Sequence, residues 1–278
     1  MTVDDLDRDP STASGVRAAN LAVEVESGSV PLIGVLYLPA GPGPHPVVVL
    51  LHGFPGHDAN QDLAQGLRRA GYAAVVFHYR GSWGVGGAWS WWNCVEDALA
   101  VCRKIFADDD PSLPRLDPRR VAVLGHSLGG FVALQVAATE SRVRAVVSVA
   151  GFDFGVAQRE IRDDPAARGV YHDAWASQLA PLRGTSADAL IEELLAAGEA
   201  WDLTRLAPAV AGVSVLLVGT GRDTVTPAEI HHWPLVRAFE TAGAPRFEHT
   251  VLDTDHALAD HRLRLAREVT GFLDRHLR

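Results

Sequence analysis

The chain has 278 residues, 47% of them hydrophobic and 21% charged, with a formal net charge of −9. That balance fits one sizeable α/β domain and excludes the sparse-hydrophobe, dense-charge signature of disorder. The acidic excess also argues against a nucleic-acid partner, which needs a basic face.

In chain order, residues 1–18 read as an N-terminal tail. Met1 to Ser14 is acidic and polar, without the basic start and apolar run of a secretory signal. No apolar run approaches the roughly 18 residues of a membrane span. The expectation is a soluble cytoplasmic protein with no membrane partner; a homodimer is left open. Leu21 to Glu26 and Leu32 to Leu38 read as two strands, hairpinned across Gly28 and Pro31. Short apolar runs follow at 47–51, 73–77, 121–124, 145–149 and 213–218, as expected of strands buried on both faces. Helical patterns at 58–70, 91–107, 128–139 and 227–242 separate them, and a last helix fits 257–277. This alternation predicts an α/β fold with a mostly parallel sheet flanked by helices.

The stretch 152–211 breaks the rhythm. It holds no convincing strand, and helices are expected at 171–179 and 188–200. About sixty residues is long for a plain connection. The expected organisation is a core of 19–151 and 212–278 with a helical cap over 152–211; the plainer alternative is a second pair of core helices. Cys94 and Cys102 lie more than two helical turns apart, too far for a disulfide, and read as buried thiols. No metal-ligand spacing appears.

Chemistry concentrates in four loops. Gly125-His126-Ser127-Leu128-Gly129 follows an apolar strand and opens a helix, the context a G-x-S-x-G turn requires to push a serine hydroxyl above a sheet. A serine hydroxyl is a weak nucleophile and needs a base. Asp223 follows the run 213–218, in the region where open α/β sheets bind ligands, and His256 follows the strand-like run 247–252. The order serine, aspartate, histidine selects Ser127, Asp223 and His256 as a triad. Asp253 and Asp255 are rivals for the acid, but neither follows the correct strand. His231, His232, His249 and His261 fall in helices or a strand and read as surface or packing residues. An oxyanion hole needs two backbone N–H groups. Leu128, after the serine, supplies one; Phe54 in His52-Gly53-Phe54-Pro55-Gly56 supplies the other, since Pro55 has no N–H.

The HGFPG, GHSLGG, GRD and TDH loops together resemble the α/β-hydrolase superfamily from about Leu21 onward. More narrowly, Tyr79-Arg80-Gly81-Ser82-Trp83-Gly84 resembles small bacterial esterases and the catalytic domain of prolyl-oligopeptidase-like (S9) peptidases. The resemblance implies a serine hydrolase with an acyl-enzyme intermediate, no cofactor and no metal. A small carboxylic ester is the expected substrate. An amide or short peptide comes second, thioester or carbon–carbon hydrolysis are further options, and a non-catalytic binding role comes last. Trp83, Trp89, Trp91 and Trp92 could line an aromatic acyl pocket or pack beneath the cap. Tyr171, His172, Trp175 and Trp201 are specificity or structural residues of the cap. Trp83, Tyr171 and Trp175 are the substrate-binding candidates.

Overall fold

Strand-forming runs rich in valine and alanine build a single eight-stranded sheet in the computed structural model, which describes Leu6, Asp9 and residues 15–107 and 113–278. The expected tail over 1–18 lies mostly outside the described residues. The strands are β1 (Ala19–Ser27), β2 (Val30–Leu38), β3 (His45–Leu51), β4 (Ala73–Phe77), β5 (Leu116–His126), β6 (Val143–Val149), β7 (Ser214–Thr220) and β8 (Phe247–Leu252). Their spatial order is β1-β2-β4-β3-β5-β6-β7-β8. Only the first two pairings, β1 with β2 and β2 with β4, are antiparallel; β4 through β8 run parallel. The hairpin turn is Gly28-Ser29, both at positive φ, so Pro31 lies in β2 opposite Glu26 rather than in the turn.

The parallel strands are buried on both faces, which explains their unbroken apolar runs. In β3, Val47, Val49 and Leu51 enter one core while Val48 and Leu50 enter the other. Helices α1 (Gln61–Arg69) and α10 (Arg262–His276) cover the second core. Helices α2 (Trp91–Phe106), α3 (Leu128–Thr139) and α9 (Trp233–Thr241) pack over the first. The expected helix at 227–242 is two pieces, α8 (Ala228–His231) and α9. Pro234 near the start of α9 explains the break, because proline donates no N–H to a continuous helix. The last helix starts at Arg262, five residues later than its pattern suggests. Cys94 and Cys102 are both buried free thiols, as expected.

Between β6 and β7 the chain forms α4 (Phe154–Asp163), α5 (Pro165–Ala176), α6 (Ala187–Ala197), a 3-10 turn (Gly198–Trp201) and α7 (Leu203–Val210). Each α-helix begins at a side-chain cap: Asp153 to Gly155 N–H, Asp164 to Ala166 N–H, Ser186 to Ala189 N–H and Asp202 to Thr204 N–H. Helices α4 and α7 are absent from the periodicity reading, and α5 starts six residues earlier than expected.

Asp153 joins the start of this segment to the start of α7. Its buried carboxylate accepts from Gly155 N–H at 2.9 Å and from Leu203 N–H at 3.2 Å. Burial, with the nearby charge of Asp202, pushes its pKa up from 3.8 to about 6, against the pull of those amides. A carboxyl harder to ionise in the folded state costs stability as pH rises through that interval. Asp153→Asn keeps an acceptor oxygen and removes the buried charge. Urea denaturation should therefore show the stability of the variant gaining on wild type by on the order of 2 kcal/mol between about pH 4 and pH 7. A gap that stays constant over that range would contradict this reading.

Candidate active site

Three loops at the carboxyl ends of β5, β7 and β8 meet at one cavity. Ser127, between β5 and α3, has φ 57 and ψ −120. A non-glycine residue rarely takes such a conformation without surrounding structure that enforces it. Here Ser127 N–H donates to Val149 O at 2.9 Å, while Ser127 O accepts from Gly130 N–H at 2.9 Å and Phe152 N–H at 3.1 Å. The turn is thereby bonded to the end of β6 and to its own helix.

Asp223 is buried behind His256, and its Oδ2 accepts from His256 Nδ1 at 2.7 Å. The same oxygen accepts from the hydroxyls of Thr220 and Thr226, each at 2.7 Å. Its other oxygen accepts from the Val225 and Thr226 amides at 2.7 and 2.9 Å. Burial works against the charge, but the His256 hydrogen bond and the two threonine hydroxyls outweigh it and hold the carboxyl well below the usual carboxylate range. Gly221 N–H donates to Leu252 O and Arg222 N–H to Thr254 O, so the Asp223 and His256 loops are stitched together.

The rival groups are occupied elsewhere. Asp253 is exposed and pairs with Arg222 at 3.2 Å, and Asp255 accepts from Ala259 N–H. His231 Nδ1 accepts from Asp153 N–H at 3.1 Å, His232 is buried against Trp233 and His249, and His261 precedes α10 beside Asp260. His126, between Gly125 and Ser127, has a role that sequence reasoning does not reach. Its Nε2–H donates to His256 O at 2.7 Å, and the two rings lie 4.8 Å apart. Burial first, then the neighbouring imidazole, lower its pKa to about 4 and keep it neutral. One imidazole thus links the serine turn to the histidine loop.

The cavity encloses about 690 Å³. Ser127, His256, Phe54 and Leu128 share its lining with Tyr171 and Trp175. Trp91, Phe152 and Phe154 complete an aromatic wall. Trp83, expected in the pocket, is not a lining residue. Its Nε1–H donates to Pro55 O at 2.8 Å and its ring meets His57 edge-on, so it braces the 52–56 loop from outside. Trp89 is buried beneath that loop and Trp92 is exposed. Of the remaining aromatic candidates, His172 is half-buried beside Asp173, and Trp201 is buried against Phe131 and Phe154.

A family model described as alpha/beta hydrolase fold matches residues 46–214, and the chain belongs to that family. It is 31% identical over 144 residues to the quorum-quenching protein AidA of Acinetobacter baumannii, covering 51% of this chain and 47% of that protein. It is 32% identical over 136 residues to esterase EstD of Thermotoga maritima, covering 43% of this chain and 30% of that one. The matches thus span half or less of these curated relatives. Among solved structures, esterase Pf2001 of Pyrococcus furiosus superposes with a TM-score of 0.65 over 98% of this chain and 96% of its own, at 17% identity. The acylaminoacyl peptidase of Pyrococcus horikoshii gives a TM-score of 0.70 over 94% of this chain and 42% of its own, also at 17% identity. At that identity the likeness concerns the fold.

The buried carboxylate carries a stability prediction. Because the Asp223 pKa is depressed in the fold, its contribution is present above the unfolded value of 3.8 and is lost as pH falls below it. Asp223→Asn should cost about 1.5–3 kcal/mol at neutral pH, the range for hydrogen bonds to a charged group. Denaturation at a series of pH values should show that loss shrinking below pH 3.8; a pH-independent loss would assign it to packing.

Proposed function

We propose that the chain is a serine hydrolase that cleaves a small carboxylic ester through an acyl-enzyme intermediate. The observation that carries this reading is the strained Ser127 turn, which shares one cavity with a histidine whose far nitrogen is bonded to a buried carboxylate. Asp223 orients His256 with Nδ1 protonated, which leaves Nε2 as the base. His256 Nε2 takes the hydroxyl proton as Ser127 Oγ attacks the ester carbonyl. The backbone N–H groups of Phe54 and Leu128 hold the resulting oxyanion. The alcohol leaves with the proton from His256, and water then cleaves the acyl-serine with His256 as base again. As written, no step calls for a metal or an organic cofactor.

The helical segment 152–211 acts in this reading as a cap over the core of 19–151 and 212–278, because α5 supplies one wall of the cavity. Tyr171 and Trp175 belong to its substrate-contacting surface. A second reading, amide or peptide cleavage, draws support from the fold likeness to the acylaminoacyl peptidase. The esterase reading draws on EstD and Pf2001, whose names describe ester cleavage.

A panel of p-nitrophenyl esters of increasing acyl length, run beside amino-acyl p-nitroanilides, tests the assignment. Ester cleavage should exceed anilide cleavage, and Ser127→Ala should lose roughly 10³-fold or more in kcat. Loss below tenfold would remove Ser127 from the nucleophile role, and anilide cleavage of equal efficiency would favour the peptidase reading.

A further inference from the structure

Helix α5 packs against α4 and α6 and turns an apolar stripe toward the cavity. Ala167, Val170, Tyr171, Ala174 and Trp175 recur at three- and four-residue intervals, and all line the cavity. Of the helix's residues only Trp175 is buried, and Val170 is 69% exposed. The rings around this space form a continuous frame: Trp91 to Trp175 at 5.1 Å, Trp91 to Phe154 at 4.9 Å and Tyr171 to Trp175 at 5.4 Å. An apolar group of the substrate would complete the packing that the helix lacks.

The charge on this cavity is one-sided. Apart from His256, its ionisable lining groups are Glu160, Asp164 and the phenol of Tyr171, and among the described residues no lysine or arginine lines it. Glu160 is held in place by Tyr171 O–H, which donates to its Oε2 at 2.6 Å. Asp164 caps α5 through Ala166 N–H at 2.9 Å. Of the nearby arginines, Arg159 pairs with Asp202 at 2.5 Å and Arg168 with Glu192 at 2.8 Å, and Arg162, exposed in the last turn of α4, is not a lining residue of the cavity. A second groove of about 610 Å³ shares Glu160, Asp164 and Ala167 with the cavity and adds Asp163 and the Asp202-paired Arg159, so a substrate extending from Ser127 across α5 would pass both shared carboxylates on a surface where acids outnumber bases.

We propose that this cavity selects esters with an apolar or aromatic acyl group whose far end is cationic or neutral, and that Glu160 and Asp164 are the specificity residues that turn away anionic substrates. The proposal rests on Ser127 being the nucleophile. The carboxylates act on the distal end of the substrate and take no part in bond cleavage. Glu160 and Asp164 are both solvent-exposed, so their repulsion of a substrate carboxylate is screened, and the two charges together are expected to give a discrimination of roughly tenfold at low ionic strength.

The test uses three p-nitrophenyl esters with acyl chains of equal length ending in trimethylammonium, tert-butyl or carboxylate, each rate divided by that ester's alkaline hydrolysis rate. The wild-type kcat/KM should rank cation above neutral above anion, with the cation-to-anion ratio roughly tenfold or more and shrinking as salt is raised. In the double variant Glu160→Gln with Asp164→Asn, both acceptor oxygens remain and the ratio should collapse toward one. Because the ratio is taken within one protein, a partial loss of folded enzyme cancels; if the variant does not fold, the wild-type ranking and its salt dependence still decide. Equal rates on all three esters, or a ratio unchanged in the double variant, would overturn the specificity proposal while leaving the hydrolase reading intact. Cleavage of the neutral ester that persists in Ser127→Ala would strike the hydrolase reading itself.

Discussion

The site depends on how little room surrounds the turn at Ser127. A Cβ on Gly125 would sit 1.8 Å from Gly129 O, and one on Gly129 would sit 2.0 Å from Leu51 O. Strand β5, the first turn of α3 and the end of β3 therefore touch backbone to backbone. This contact forces the chain to reverse within one residue, and that residue takes the positive φ. A conformation of this kind costs on the order of 1–3 kcal/mol. The parallel pairing of β5 with β3 and β6, each buried on both faces, supplies the packing that offsets it. The hydroxyl is placed at the cavity by the sheet itself, not by a mobile loop.

The other site groups are fixed relative to that turn by hydrogen bonds between loops. His126 reaches from the serine turn to the His256 carbonyl, and the Asp223 loop is bonded to the His256 loop at two backbone positions. Asp223 is surrounded by donors, so its charge is stable where it is buried. Trp83 holds the 52–56 loop through Pro55 O, on the side away from the cavity. A further wall comes from the 152–211 helices, where the Asp153 carboxylate ties the start of α4 to the start of α7.

How far the sequence reveals this arrangement varies with the physics of each part. The parallel strands are legible because burial on both faces forces continuous apolar runs, and the loops at their ends inherit their positions from strand order. Strand order together with the G-x-S-x-G motif, the serine-aspartate-histidine order and the missing N–H of Pro55 brings Ser127, Asp223, His256, Phe54 and Leu128 forward as candidates. Helix α5 is misplaced by periodicity because its apolar face is built partly of alanines facing a cavity and is interrupted by Arg168 and Gly169. Asp164-Pro165, a cap followed by proline at the first helical position, is the local signal that marks its true start. His126 and Trp83 are different. Each acts across the fold, on His256 and Pro55, and no local pattern reveals such a partner.

The central claim is that Ser127 is activated by His256. Exposure to a fluorophosphonate, followed by peptide mass spectrometry, tests it without any assumption about the substrate. The account predicts a single phosphonyl adduct on Ser127, formed at least roughly a hundredfold more slowly in His256→Ala, in line with general-base assistance. No adduct, an adduct on another residue, or labelling of Ser127 at an unchanged rate without His256 would contradict it.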